Sequence, residues 1–346
     1  VSGRPAPKTE AELDALLSAP RDATIAALKN APGDIVVLGA GGKMGPTLAR
    51  MAARARDAAD AGSPRRVIAV SRFSETGTRE LLEQSGVTTI ACDLLDRDAV
   101  ASLPDAPNVV FMAGQKFGTR DAPSRTWMMN VVAPAICAER YAGARTVVFS
   151  TGNVYALTSV AGGGARETDP TAPIGEYAQS CAGRERVFEH FAAARGTRVA
   201  IVRLNYAIAL RYGVLTDLAL KIVRGEVLPV VMGHVNVIWQ GDANCAALEL
   251  LPLAANPPLV MNVTGTATLS VREVSLGLGA RLGREPRFEG AEAADALLSN
   301  TQRMRTALGE PPTNVETMLD WVADWVKNRR PLLGRATHFE TRDGQF

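Results

Sequence analysis

The sequence predicts an α/β fold built on a doubly wound parallel sheet. Three observations carry that expectation. Six short apolar runs recur between Asp34 and Leu204, helical stretches separate several of them, and the first run ends in a glycine loop that opens a helix. Strands alternating with helices imply parallel βαβ units joined by right-handed crossovers.

Taken in order, residues 1–32 read as an N-terminal helical extension. Thr9 and Glu12 form a capping-box pattern, and Leu13, Leu16 and Leu17 make a short apolar face, so a docked helix pair is expected. The first strand is Ile35–Leu38. It runs into Gly39, Gly42 and Gly45, a G-x-x-G-x-x-G loop that includes Lys43 and Met44, and Pro46 suits the start of the following helix. Glycines there let the backbone turn tightly and approach a pyrophosphate, which sits on the amides at a helix start. Further strands are expected at Val67–Val70, Thr88–Ala91, Val109–Met112, Thr146–Ser150 and Val199–Leu204. Helices are expected at Pro46–Asp60, Thr78–Ser85, Trp127–Ala142 and Tyr177–Arg195. These place a dinucleotide-binding domain over residues 33–205. The rhythm is less regular over 206–346, the expected substrate-binding region, with one or two elements returning to the first domain. It holds a helix at Val214–Arg224, short strands at Val235–Trp239 and Val260–Val263, and a last helix capped by Thr313 and Glu316 with Trp321 and Trp325 as packing residues.

Composition narrows the class of protein. A 47% hydrophobic chain of 346 residues can bury a full core. The net charge of +2 argues for neither nucleic acid nor an anionic membrane as a partner. No apolar run approaches the roughly 20 residues of a membrane span, and Val1 to Lys8 lacks the apolar core of a secretory signal. Cys92, Cys137, Cys181 and Cys245 form no C-x-x-C pair and read as buried free thiols of a cytoplasmic protein. Three histidines with no close pair argue against a metal site.

An ordered series of motifs then follows the glycine loop. It comprises Asp93-Leu94 after the third strand, Ala113-Gly114 after the fourth and Asn130 in the next helix. Phe149-Ser150-Thr151-Gly152-Asn153-Val154-Tyr155 comes with the fifth strand, then Glu167, Pro170, Pro173, Tyr177-Ala178-Gln179-Ser180, Arg203-Leu204-Asn205 and Gly241-Asp242. Together these resemble the extended short-chain dehydrogenase/reductase superfamily, in its NAD-dependent epimerase/dehydratase group. The resemblance implies a Rossmann-type doubly wound parallel sheet that carries the cofactor, with a smaller, discontinuous C-terminal region over the substrate. It implies that Gly39, Gly42 and Gly45 hold the pyrophosphate, that Asp93 and Leu94 meet the adenine, and that Thr151 and Tyr177 belong to the catalytic set. It also implies a homodimer. Read without it, the glycines serve a tight turn, Thr151 is a strand-end hydroxyl and Tyr177 is a packed aromatic.

The second strand ends in Ser71-Arg72, with no carboxylate to hold a ribose 2′-hydroxyl. Serine donates a hydrogen bond and arginine clamps a phosphate or stacks on adenine, so NADP is the expected cofactor and NAD the alternative.

Two departures from the family pattern matter. Its catalytic motif is Tyr-x-x-x-Lys, and the fourth residue after Tyr177 is Cys181, a short and ordinarily neutral thiol. A tyrosine ionises near pH 10, so a base role needs a cation elsewhere. Lys116, in the loop after the fourth strand, is the first candidate; Arg184 is the weaker one, and either could be a solvated surface charge. The second departure concerns the Asp-Glu pair that follows the threonine in sugar dehydratases. Here those places hold Gly152 and Asn153, which transfer no proton, so a 4,6-dehydratase is not expected.

Asn205 and His234 are candidate substrate contacts, and Asp242 is expected to organise the fold and cap a helix at Ala243. The leading expectation is an NADP-dependent epimerase or oxidoreductase that moves a hydride to or from a sugar-like carbonyl or hydroxyl carbon. Thr151 would hold the oxygen, Tyr177 would exchange the proton and Lys116 would supply charge. The rival expectation is a catalytically altered NADP-binding regulatory or scaffolding protein. A third is chemistry in which the cofactor oxidises and re-reduces one substrate with no net redox.

Overall fold

Seven parallel strands form one sheet in a computed structural model that describes residues 5–60, 62, 64–119 and 121–344. The strands are β1 (Ile35–Leu38), β2 (Val67–Ser71), β3 (Thr88–Ala91), β4 (Asn108–Phe111), β5 (Arg145–Thr151), β6 (Arg198–Leu204) and β7 (Leu259–Val263). In space they run β7-β6-β5-β4-β1-β2-β3. The chain winds outward from β1 through β3, then crosses back to β4 and winds the other way. The turning point between β1 and β4 is where a doubly wound sheet opens a crevice at its carboxyl edge.

Both faces of the sheet are covered, which is why the strands read as unbroken apolar runs. Ile35 and Val37 enter one core with Leu48, Met51 and Leu250, while Val36 and Leu38 enter the other with Ile136 and Phe188. Each strand therefore feeds two cores on alternate residues.

The helices that matter for the site are α1 (Glu10–Leu17), α2 (Asp22–Lys29), α3 (Gly45–Ala59), α4 (Ala133–Arg140), α5 (Gly175–Arg195), α6 (Val214–Arg224), α7 (Gln240–Glu249), α8 (Val271–Leu282) and α9 (Val315–Lys327). Helices α6, α8 and α9 pack around a third core, where Trp239 meets Trp321 edge-on at 5.1 Å and Trp325 is fully buried. Thr9 caps α1 by accepting from the Glu12 amide. Helix α1 buries Leu13 and Leu17 in that third core, and Arg21 and Thr24 both bond to Glu249 of the fully buried helix α7. The first four residues of the expected extension and the last two of the chain lie outside the described residues.

Several local expectations need adjustment. The strand expected at 235–239 is two short pieces, His234–Val235 and Ile238–Trp239, which pair with different partners. The helix expected from Trp127 is interrupted by a wide turn at Met128–Val132 before α4 begins. Asn314, not Thr313, caps α9, accepting from the Thr317 amide at 2.8 Å. Thr313 is committed elsewhere, since its amide donates to Asp242 at 3.0 Å. Asp242 lies inside α7, which starts at Gln240, and so ties two elements together without capping Ala243.

Candidate active site

Two neighbouring hollows lie along the carboxyl edge of the sheet, with the glycine loop walling both. The first, of about 190 Å³, is lined by Gly39, Gly42, Ser71, Arg72, Asp93, Leu94, Ala113 and Gly114. Each of these was expected at the cofactor from sequence, and four strand ends bring them together.

The glycines of the loop are needed for different reasons. Gly39 has φ +89°, and a Cβ there would fall 2.5 Å from the Ala113 nitrogen; a Cβ on Gly45 would fall 2.4 Å from the Ala40 oxygen. Internal packing accounts for both. Gly42 has room, its nearest neighbour to an added Cβ being 3.5 Å away, so nothing in the protein forbids a side chain there. A ligand approaching the loop closely would. Among the described residues the backbone N–H groups of Lys43 and Met44 find no protein acceptor, and Met44 leaves α3 without a side-chain cap. Unspent donors at a helix start suit a pyrophosphate. Arg72 is exposed and makes no hydrogen bond or ion pair among the described residues. The hollow therefore meets the requirements of a nicotinamide dinucleotide.

The second hollow, about 150 Å³, is lined by Lys43, Met44, Lys116, Thr151, Tyr177 and Asn205, together with Asn153, Tyr206, Tyr212, Gly213 and Thr337. Thr151 ends β5, and its hydroxyl oxygen accepts from the Asn153 amide at 3.2 Å and from the Asn153 side chain at 3.0 Å. Tyr177 sits in the first turn of α5, its hydroxyl in hydrogen-bond contact with both Thr151 and Cys181. Burial pushes the phenol well above its usual range, and Cys181 adds to that rise. The opposing cation is Arg184, two turns further along α5.

Arg184 is thus no surface charge. It is 5% exposed and donates to the Phe149 carbonyl at 2.7 Å and to the Asn130 side-chain oxygen at 2.8 Å. Asn130 is held in turn by the Gln115 amide and by Ser180 of α5. The wide turn at Met128–Val132 carries Asn130, which joins the loop after β4 to α5. Below it, Glu185 and Arg203 form a buried pair at 2.7 Å, and Ser150 donates to Glu185 at 2.5 Å. These bonds lock α5 against β5 and β6 and fix where Tyr177 stands.

Lys116 projects into the hollow with its ammonium 5.9 Å from the centre of the Tyr177 ring. Desolvation pushes that ammonium down to about 8, with Cys181 and Asp217 opposing. Asn205 lines the hollow, but its amide is committed to the Leu297 carbonyl at 3.2 Å. His234 lies outside both hollows, paired with Ser270 in a two-stranded ladder. A loop position near a predicted strand gave no direction for its side chain.

Sequence reasoning missed several lining residues. Tyr206 directly follows the Arg203-Leu204-Asn205 motif and was within reach. Tyr212 and Thr337 carry no motif or periodicity. Thr337 belongs to the segment after α9, which folds back over the hollow; its amide and hydroxyl donate to Asp217 at 2.7 and 2.6 Å, and Tyr206 donates to the Phe339 carbonyl at 3.3 Å.

Solved structures share this architecture. UDP-glucose 4-epimerase from Thermotoga maritima, solved with UDP-glucose, aligns over 86% of this chain and 99% of its own, with a TM-score of 0.68 at 19% identity. The dTDP-glucose 4,6-dehydratase of Bacillus anthracis, solved with NAD, aligns over 86% and 97% with a TM-score of 0.70 at 17% identity. Pal from Bacillus thuringiensis aligns over 86% and 100% with a TM-score of 0.71 at 17% identity. At these identities the likeness is one of fold. No curated protein sequence matches the chain significantly. A family model matches residues 35–242, which span every motif from β1 to the start of α7, and the chain belongs to the NAD dependent epimerase/dehydratase family.

Proposed function

We propose that this protein is an NADP-dependent oxidoreductase or epimerase acting on a small sugar-like substrate at a carbonyl or hydroxyl carbon. The observation that carries the reading is the convergence of Thr151, Tyr177 and Lys116 on one hollow, divided from the cofactor cradle by a single loop. A bound nicotinamide supplies a hydride acceptor or donor. The chain's own residues do the rest. Thr151 holds the substrate oxygen, and the Tyr177 phenol, kept protonated by burial, donates a proton to that oxygen when a carbonyl is reduced. In the opposite direction Tyr177 must first lose its proton and accept the substrate's as the phenolate, an ionisation that the charge of Arg184 favours. NADP is preferred because Arg72 stands free at the end of β2 where an NAD site places a carboxylate.

Water elimination from a nucleotide sugar is not part of the proposal. Gly152 and Asn153 carry no acid or base, and a Cβ added at Gly152 would already lie 3.2 Å from Asn205. The cytoplasm is the proposed location, in keeping with four buried free thiols. No helix among the described residues is long and apolar enough to cross a membrane. A homodimer is the proposed assembly.

Stopped-flow measurement of hydride transfer in Tyr177→Phe tests the reading: unchanged turnover would remove the acid/base role. A second reading, a cofactor-binding regulatory protein, is favoured by buried Cys181 at the lysine position. Tight NADPH binding without turnover on a broad sugar panel would decide for it.

A further inference from the structure

The wall of the substrate hollow is unusual in charge. Lys43 and Lys116 both line it, and among the described residues no aspartate or glutamate does. Lys43 leaves the glycine loop and reaches across the mouth to the opposite side, where its ammonium donates to the Ala207 carbonyl at 3.0 Å and lies 4.1 Å over the Tyr212 ring. Among the described residues it forms no ion pair. Asp217 acts on it only electrostatically, and the Asp217 carboxylate accepts from the Thr337 amide and hydroxyl. Desolvation and the neighbouring charge of Lys116 push the Lys43 ammonium down to about 7; the residue is open to water at the mouth, which offsets part of that desolvation. An ammonium without an ion pair, held beside a second lysine at one small hollow, carries a cost that a bound anion would relieve.

Two further features agree with that. Gly213 and Val214 bring the start of α6, an eleven-residue helix without a side-chain cap, to the same hollow, adding partial positive charge. The size of the hollow also limits the ligand. About 150 Å³ is below the roughly 300 Å³ at which pockets for drug-sized ligands begin, and Thr337 closes one side.

Resting on the functional reading above, and sharpening it, we propose that Lys43 is the residue that recognises an acid group on the substrate, so that this enzyme acts on a small anionic sugar derivative, a sugar acid or a sugar phosphate, rather than a nucleotide sugar or a neutral sugar. The ammonium keeps its bond to Ala207 and turns a remaining N–H to the anion. Lys116 adds to the field from the Tyr177 side. Carboxylate and phosphoryl groups share the chemistry, and the ligand panel separates them.

The experiment uses the full chain with NADP⁺ and measures calorimetric binding of D-gluconate, D-glucuronate, D-glucose 6-phosphate, D-glucose and UDP-glucose to wild type, Lys43→Met and Lys43→Arg. Kinetics with the same compounds run in parallel. The proposal expects at least one of the three small acids to bind more tightly than D-glucose and UDP-glucose. It expects Lys43→Met to weaken that acid by about tenfold or more, the size of losing one charge-assisted hydrogen bond, and Lys43→Arg to restore most of it. NADP⁺ affinity, read separately in each variant, shows whether the loop itself has been disturbed. Tightest binding by UDP-glucose or D-glucose, no binding by any of the acids, or acid affinity indifferent to Lys43→Met would each overturn the proposal. The two readings fail separately. Acid binding that depends on Lys43 without hydride turnover would sink the catalytic reading alone, whereas turnover of D-glucose in preference to the acids would sink only this one.

Discussion

The cofactor cradle and the substrate hollow share one loop and are built by different means. The cradle is made mostly of backbone and small side chains at the ends of adjacent strands, and its shape follows from sterics at Gly39, Gly41 and Gly45. The hollow is made of long side chains from the glycine loop, the loop after β4, β5, α5, β6, α6 and the tail. A backbone site is set by short motifs and tolerates little change. A side-chain site is set by long-range packing and can be re-equipped one residue at a time.

The largest effect that would sharpen this contrast is Tyr177→Phe. Turnover should fall by about 10²–10⁴-fold while NADP⁺ affinity, measured by fluorescence titration, stays within a factor of about two. A parallel loss of cofactor affinity would break the division between the two regions.

Paired glycine variants test the cradle. Gly39→Ala forces a Cβ onto the Ala113 backbone at positive φ, and denaturant titration should show a loss of about 3 kcal/mol. Gly42→Ala should leave stability within about 0.5 kcal/mol and still weaken NADP⁺ by about tenfold or more, because the added methyl would enter open space on the side from which the proposed cofactor approaches.

Arg184→Met joins the two regions. It removes donors to Phe149 and Asn130, which should cost about 2 kcal/mol in chemical denaturation. It also removes the cation that favours phenolate, so the pKa of Tyr177 rises further and the rising limb of the alcohol-oxidation pH profile moves to higher pH. A stability loss with an unmoved limb would reduce Arg184 to a structural brace. Arg72→Ala should weaken NADP⁺ by about tenfold and leave NAD⁺ nearly unchanged in the same titration. The smallest expected effect is that of Lys116 on pH dependence. Its charge is lost as pH rises through about 8, so activity attributable to that charge declines above that pH, and Lys116→Met should lack this decline.

The cradle was legible in the sequence because each part of it is a local pattern. Glycine spacing, strand-end residues and the Pro at a helix start all act within a few residues of one another. The six strands and the long helix α5 were legible for the same reason. The hollow was legible only where a motif marked it, at Thr151, Tyr177 and Asn205. Lys116 was placed by its position after β4. Lys43 was read as part of the cofactor loop, although its side chain leaves that loop and crosses to Tyr212. Arg184 was ranked low because a helical position two turns from Tyr177 does not reveal that Asn130 and Phe149 await it. His234 shows the opposite case, a residue type that suggests chemistry but lines neither hollow.

The segment after α9 gives the site a wall from the far end of the chain. Leu333 donates to the Arg211 carbonyl, Phe339 is buried, and Gly344 lies against Ile174 and Gly175, next to the turn of α5 that carries Tyr177. None of the seven strands depends on it. A polypeptide shortened ahead of Thr337 would lose the buried Phe339 side chain and the two donors to Asp217, so it would melt at a lower temperature as well as lose the wall of the hollow, whereas Thr337→Val would remove one donor and leave the core filled.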